Sequence, residues 1–202
     1  MNILYQTSDR NTFGVPDGQL MTFDASLQFI TDRTQQDVAY VQQLASKLIA
    51  GTATDFEKAE WNSTLLKGAY NYTDLNRVTA AMEYLKLRLE QYGYTVPGYQ
   101  RFKVQHSVTG VSTDAEYDPY LWYEFDWPTP ETLTIYLLNV SAIRAVLNVT
   151  ESTPNVPNDM LGLMVKEAND IEVILMDVYR QINVMTTTFI SCGEALSGGD
   201  NL

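Results

Sequence analysis

Leu161, Met164, Ala168, Ile171, Leu175, Val178, Ile182, Met185 and Phe189 follow one another at intervals that alternate between three and four without a break. That rhythm matches the turn of an α-helix and keeps the apolar side chains on one side of it. A chain carrying such a stripe must lay it against other elements, and helix packed on helix is the simplest solution. The spacing predicts a helix from just after Pro157 to about residue 190, roughly 45 Å long at the usual helical rise. Leu163, Val173, Ile174, Met176 and Tyr179 add a second stripe, which places this helix centrally with neighbours on two sides.

Two other stretches repeat the rhythm. Leu75, Val78, Met82, Leu85, Leu89 and Tyr92 form a heptad seam that Gly93 stops. Thr73 is the predicted N-cap of that helix. Asp74 sits in its first turn, where an anion favours the helix dipole, and Asn76 is placed to reach back to a free backbone N–H. Arg77 lies beside the seam and reads as a surface or inter-helix ion pair. Leu133, Tyr136, Val140, Ile143 and Leu147 form the other seam, with Thr129 as N-cap and Pro130 at the first helical position. Earlier, Thr34-Gln-Gln-Asp37 and Thr54-Asp-Phe-Glu57 are capping boxes. They open a helix carrying Val38, Val41, Leu44, Leu48 and Ile49, closed by Gly51, and a shorter one carrying Trp61 and Leu65.

Between the helices the period changes to two. In "RFKVQHSV" Phe102, Val104, His106 and Val108 alternate with polar residues. In "YLWYEFDW" Leu121, Tyr123, Phe125 and Trp127 share one face, and Tyr120, Trp122, Glu124 and Asp126 the other. Pairing Phe102 with Phe125, Val104 with Tyr123 and His106 with Leu121 sets Arg101 against Asp126 and Lys103 against Glu124. The sequence therefore predicts a β-hairpin inserted at about residues 100–127. The expected fold is mainly α: a helical bundle over residues 31–190 with heptad-spaced seams, a long C-terminal helix and that hairpin. An extended N-terminal arm (residues 1–30) precedes it and a flexible Gly-rich tail (residues 191–202) follows.

Charge narrows the partners. The net charge of −12 is concentrated after residue 110, where 14 acids face three bases, Arg144, Lys166 and Arg180. Phosphate backbones and acidic membrane surfaces repel such a chain, so neither nucleic acid nor membrane is an expected partner. No apolar run suits a bilayer span, and "MNILYQTSDR" lacks the basic start and apolar core of a signal peptide. Cys192 is the one cysteine, so no intramolecular disulfide forms.

The catalytic inventory is thin. His106 is the one histidine and falls on the apolar face of the expected strand, which reads as structural and rules out a multi-histidine metal site in one chain. A dyad of Cys192 with His106 would need the tail folded back onto the hairpin. Asp114, Glu116 and Asp118 resemble the start of a calcium loop, but Pro119 and Phe125 stand where its glycine and bidentate acid belong. Glu124 and Asp126 among aromatic residues suggest a sugar cleft, yet the hairpin register already pairs them with bases. Tyr120, Trp122 and Trp127 remain as a candidate sugar or partner contact surface. Asn169, beside a seam, suits either a specifying polar contact or solvent. No catalytic residue, metal ligand or cofactor is assigned.

Motif order adds one more line. "ITDRTQQDV", "AYNYTDLNRVTAAMEYL", "DWPTPETLTIYLLNVSAIR" and "MLGLMVKEANDIEVILMDVYRQI" together resemble uncharacterised tail-associated proteins of Firmicutes phages and prophages over about residues 29–190. The resemblance implies a non-enzymatic virion protein of a tail, baseplate or fibre. Such a protein is made in the bacterial host cytoplasm, resides in the virion, and has copies of itself and other virion proteins as partners. The alternative is a carbohydrate- or receptor-binding module using the aromatic hairpin.

Overall fold

Side-chain caps set where the helices begin in the computed structural model, which describes residues 28–63, 66–104, 120–124 and 126–188. Helix α1 (Gln35–Ile49) opens on the expected box: the Thr34 hydroxyl accepts from the Asp37 N–H and the Asp37 carboxylate accepts from the Thr34 N–H. Helix α2 (Asp55–Asn62) repeats the device with Thr54 and Glu57. Lys47 in the last turn of α1 also binds Glu57. That bond to Lys47, followed by those from the Thr54 backbone and hydroxyl, holds the Glu57 carboxyl down at about 2 against its ordinary 4.5. A depressed carboxyl stabilises the fold above its unfolded pKa, and the contribution is lost as pH falls through the folded value. We expect Glu57 to titrate near pH 2 in a carboxyl-resonance NMR titration, with the α1–α2 junction loosening between about pH 4.5 and 2.

Helices α1 and α2 pack on each other and scarcely touch the rest of the bundle. Leu44 is the one fully buried side chain of α1, while Ile49, Phe56 and Trp61 face outward. The chain returns past the start of α1 at Gly68, where a Cβ would lie 2.0 Å from the Asp37 carbonyl oxygen. Only glycine permits that backbone-on-backbone approach. Gly68→Ala is expected to cost about 1–3 kcal/mol, read by denaturant unfolding and by faster amide exchange in α1.

The core is a triangle of α3 (Tyr72–Gln91), α4 (Pro130–Val146) and α5 (Val165–Thr188), each packed on the other two. Leu75, Val78, Met82, Leu85 and Leu89 of α3 meet Leu133, Tyr136, Val140 and Ile143 of α4 and Ile171, Leu175, Val178 and Ile182 of α5 in one buried cluster. Thr129 caps α4, and Pro130 stands at its start as the sequence implies.

Two expectations are corrected and a third is not shown. The N-cap of α3 is Asn71, not Thr73: its Oδ1 accepts from the Thr73 N–H (2.8 Å), and Asp74 reciprocates to the Asn71 N–H (3.0 Å). The long helix starts at Val165, so Leu161 is not a seam residue; it lies before the helix and is 74% exposed. An Asx turn (Asp159 Oδ1 to the Leu161 N–H, 2.8 Å) and a left-handed Gly162 (φ 72°) break the backbone where the apolar rhythm alone reads on. The 24 residues of α5 span roughly 36 Å instead. The β-hairpin, finally, is not shown: among the described residues there is no strand, and residues 101–104 and 120–124 are irregular chain. Its remaining residues, 105–119 and Phe125, lie outside the described residues, as do 1–27 of the arm and the tail 191–202.

Candidate functional site

The segment preceding α1 carries Arg33 into the interior. Thr34 is extended at the N-cap, so the residues before it leave the helix axis and run between α3 and α5. Capping places Asp74 in the first turn of α3, with its second oxygen already accepting from Asn71. Arg77 stands one turn further on the same face. Glu172 lies on the inner side of α5, beside the seam residue Ile171, and is 0% exposed.

These four side chains form a closed, charge-balanced cluster. Arg33 Nη2 donates to Asp74 Oδ1 and to Glu172 Oε1, both at 2.8 Å. Arg77 Nη2 donates to the same two oxygens at 2.5 and 2.7 Å. The other Glu172 oxygen accepts the Ile30 backbone N–H (2.6 Å) and, at 3.4 Å, Arg77 Nε. Arg33 Nη1 donates to the Ile30 carbonyl (2.6 Å), and its guanidinium lies 5.3 Å from the centre of the Tyr70 ring. Burial works against the Arg77 charge, but the hydrogen bond to Glu172 and the charges of Glu172 and Asp74 outweigh it, and its pKa is raised.

Asn169 completes the attachment. Its Oδ1 accepts the Arg33 N–H (3.1 Å) and its Nδ2 donates to the Arg33 carbonyl (3.0 Å). Behind the cluster the Tyr70 and Tyr136 hydroxyls pair at 2.7 Å. Burial pushes both phenols above their ordinary pKa. Tyr136 is fully buried, so Tyr70→Phe strands its hydroxyl; the expected loss is about 1–3 kcal/mol by urea unfolding, most of it recovered when Tyr136→Phe is added.

Chemically the cluster is saturated. Every oxygen of Asp74 and Glu172 is engaged by a donor from the chain itself. Arg33 Nε is buried without a partner, a cost that the rest of the cluster carries. Among the described residues no group of three or more His, Cys, Asp and Glu side chains is arranged to hold a metal ion. No helix of the described residues is long and apolar enough to cross a membrane.

The candidates read from the sequence are dispersed. Trp122 is not a contact residue: it is 2% exposed, its ring tilts against Phe102 at 6.3 Å, and its backbone is clasped by Asn76. The clasp has two bonds, Trp122 N–H to Asn76 Oδ1 (2.8 Å) and Asn76 Nδ2 to the Trp122 carbonyl (2.7 Å). It draws the ring into the core, where alternation had set it on the polar face; Asn76 is thereby occupied across the core and not at its own helix end. Tyr120 is half-buried beneath the Arg101 guanidinium (3.6 Å to the ring centre), whereas Trp127 is 77% exposed. Glu124 is exposed, and Asp126 Oδ2 accepts the Tyr123 N–H (2.8 Å) in a local turn. His106, Asp114, Glu116, Asp118 and Cys192 lie outside the described residues.

Arg77 does make an inter-helix ion pair, one of the two readings its place beside the seam allows. Asn169 binds the segment before α1 in place of another helix. Arg33 and Glu172 were missed as partners. A glutamate embedded between Ile171 and Ile174 is a signal that a buried cation must exist, but nothing local says where in the chain it comes from.

Two surface concavities lie among the described residues away from the cluster. A polar cleft of about 630 Å³ is lined by Arg144, Lys166, Asp170 and the loop 149–155. The Arg144 guanidinium is spent on the Pro154 and Thr153 carbonyls, and Lys166 pairs with Asp170. A second groove of about 360 Å³ runs between α4 and residues 156–161, with Leu138 and Leu161 on its rim. No protein-family model, curated protein or solved structure matches the chain.

Proposed function

We propose that the chain is a non-enzymatic structural protein of a phage virion, a tail, baseplate or fibre component that works by assembling with copies of itself and with other virion proteins. The observation that carries the reading is the saturated Arg33–Asp74–Arg77–Glu172 cluster: the one place among the described residues where buried charges converge is spent on closing the fold. Apolar side chains left on the outside, Ile49, Phe56, Leu138, Leu161 and Met164, support contact with further protein surfaces. The virion context rests on the resemblance of the motif order to phage tail-associated proteins, and with it synthesis in the host cytoplasm and residence in the particle.

The alternative, a carbohydrate- or receptor-contact surface, draws on the exposed Trp127 but has lost Trp122 to the core. Deleting the gene from the phage that encodes it and imaging the released particles tests the proposal. Missing or incomplete tails, restored by the wild-type gene in trans, are expected. Intact infectious particles from the deletion would overturn it.

A further inference from the structure

The groove between α4 and residues 156–161 has an apolar floor of Leu133 and Leu137, both buried, and two exposed leucines on its rim, Leu138 and Leu161. Leu161 is held out in solvent by the backbone around it. Asp159 Oδ1 accepts the Leu161 N–H at 2.8 Å, and the left-handed Gly162 turns the chain immediately afterwards. A leucine fixed in this way gains no burial in the isolated chain; it is a wall against which another apolar side chain can pack.

Charge selects what can pack there. Asp159 lines the groove, and the exposed Glu131 follows the lining Pro130, whereas no lysine or arginine lines it among the described residues. The three bases that follow residue 110 are engaged elsewhere: Arg144 on the Thr153 and Pro154 carbonyls, Lys166 on Asp170 and Arg180 on Asp177. A second copy of the chain approaches with its own acidic groove and a net charge of −12, so like charges oppose it. We propose that the groove docks a short basic amphipathic segment of a different protein. One apolar side chain sits between Leu138 and Leu161, and a lysine or arginine lies against Asp159 and Glu131. Asp159 Oδ1 holds the turn, which leaves Oδ2 for that cation. Docking of this kind rests on the assembly reading of the preceding section, yet it fails separately: peptide binding is measured on the purified chain and virion residence on particles.

The probe is a synthetic helix of about 14 residues built from leucine and lysine, matched by the same peptide with glutamate for every lysine. Each is titrated into the full chain, labelled for methyl and amide NMR. The lysine peptide is expected to shift the Leu137, Leu138 and Leu161 methyl signals first, and to bind at least about ten-fold more tightly than the glutamate peptide. Leu161→Ala, with the fold intact, is expected to weaken binding about five- to ten-fold. Asp159→Asn combined with Glu131→Gln keeps the turn acceptor and removes both charges. It is expected to weaken binding about three- to ten-fold and to flatten its dependence on salt. Equal binding of the two peptides, shifts centred on another acidic part of the surface, unchanged affinity in both variants, or no binding of the lysine peptide overturns the proposal. Methyl signals that move with protein concentration alone assign the groove to a second copy and overturn it equally.

Discussion

Glu172→Leu is expected to destabilise the fold by about 3–5 kcal/mol in urea unfolding at neutral pH. The carboxylate is fully buried and accepts from both arginines at 2.8 and 2.7 Å. Without it, the buried Arg33 guanidinium must share Asp74 with the partly exposed Arg77, and the Ile30 N–H loses its acceptor. Leucine fills most of the volume, so the loss comes from charges left uncompensated, not from a cavity. Against a total stability of about 5–15 kcal/mol this is a large fraction. Asp55→Asn is the matched control: Asp55 pairs with Lys58 at 3.0 Å in full solvent and should change stability by less than about 1 kcal/mol. Equal effects from the two substitutions would mean that the buried cluster does not hold the fold closed.

The second large effect is expected at Leu175. Its side chain is completely buried where α5 meets α3 and α4, so Leu175→Ala removes apolar surface from the core and leaves a cavity that the three helices cannot close. The expected loss is about 2–5 kcal/mol. Leu161 belongs to the same sequence rhythm, yet it stands ahead of the helix behind Gly162. Leu161→Ala should stay within about 0.5 kcal/mol. The pair of measurements fixes where the seam begins. A loss of several kcal/mol at Leu161 would mean that the helix starts near Pro157, as periodicity alone suggests.

That contrast shows what local sequence carries. Thr34 with Asp37, Thr54 with Glu57 and Thr129 with Pro130 mark helix starts correctly because each cap is an interaction within four residues. The Asn71–Asp74 box was equally local, but Thr73 offered a competing hydroxyl next to the same acid, and only the backbone conformation separates the two. Leu75 to Leu89 and Ile171 to Ile182 are legible because burial repeats with the helix turn. Leu161 misleads because periodicity is blind to an Asx turn followed by a left-handed glycine. Trp122 misleads because alternation assigns a face only when a strand exists, whereas two bonds from Asn76 dictate where that residue goes. The cluster was half legible. Asp74 and Arg77 stand one turn apart and suggest each other, but Arg33 and Glu172 meet across most of the chain, and no period or spacing connects them.

Quantitative mass spectrometry of washed phage particles, released by the bacterial strain whose genome carries this gene, tests the proposed virion role most directly. The account predicts the protein at a fixed copy number per particle, in constant ratio to the major tail protein from one preparation to the next. Full, infectious particles that contain none of it would contradict the account.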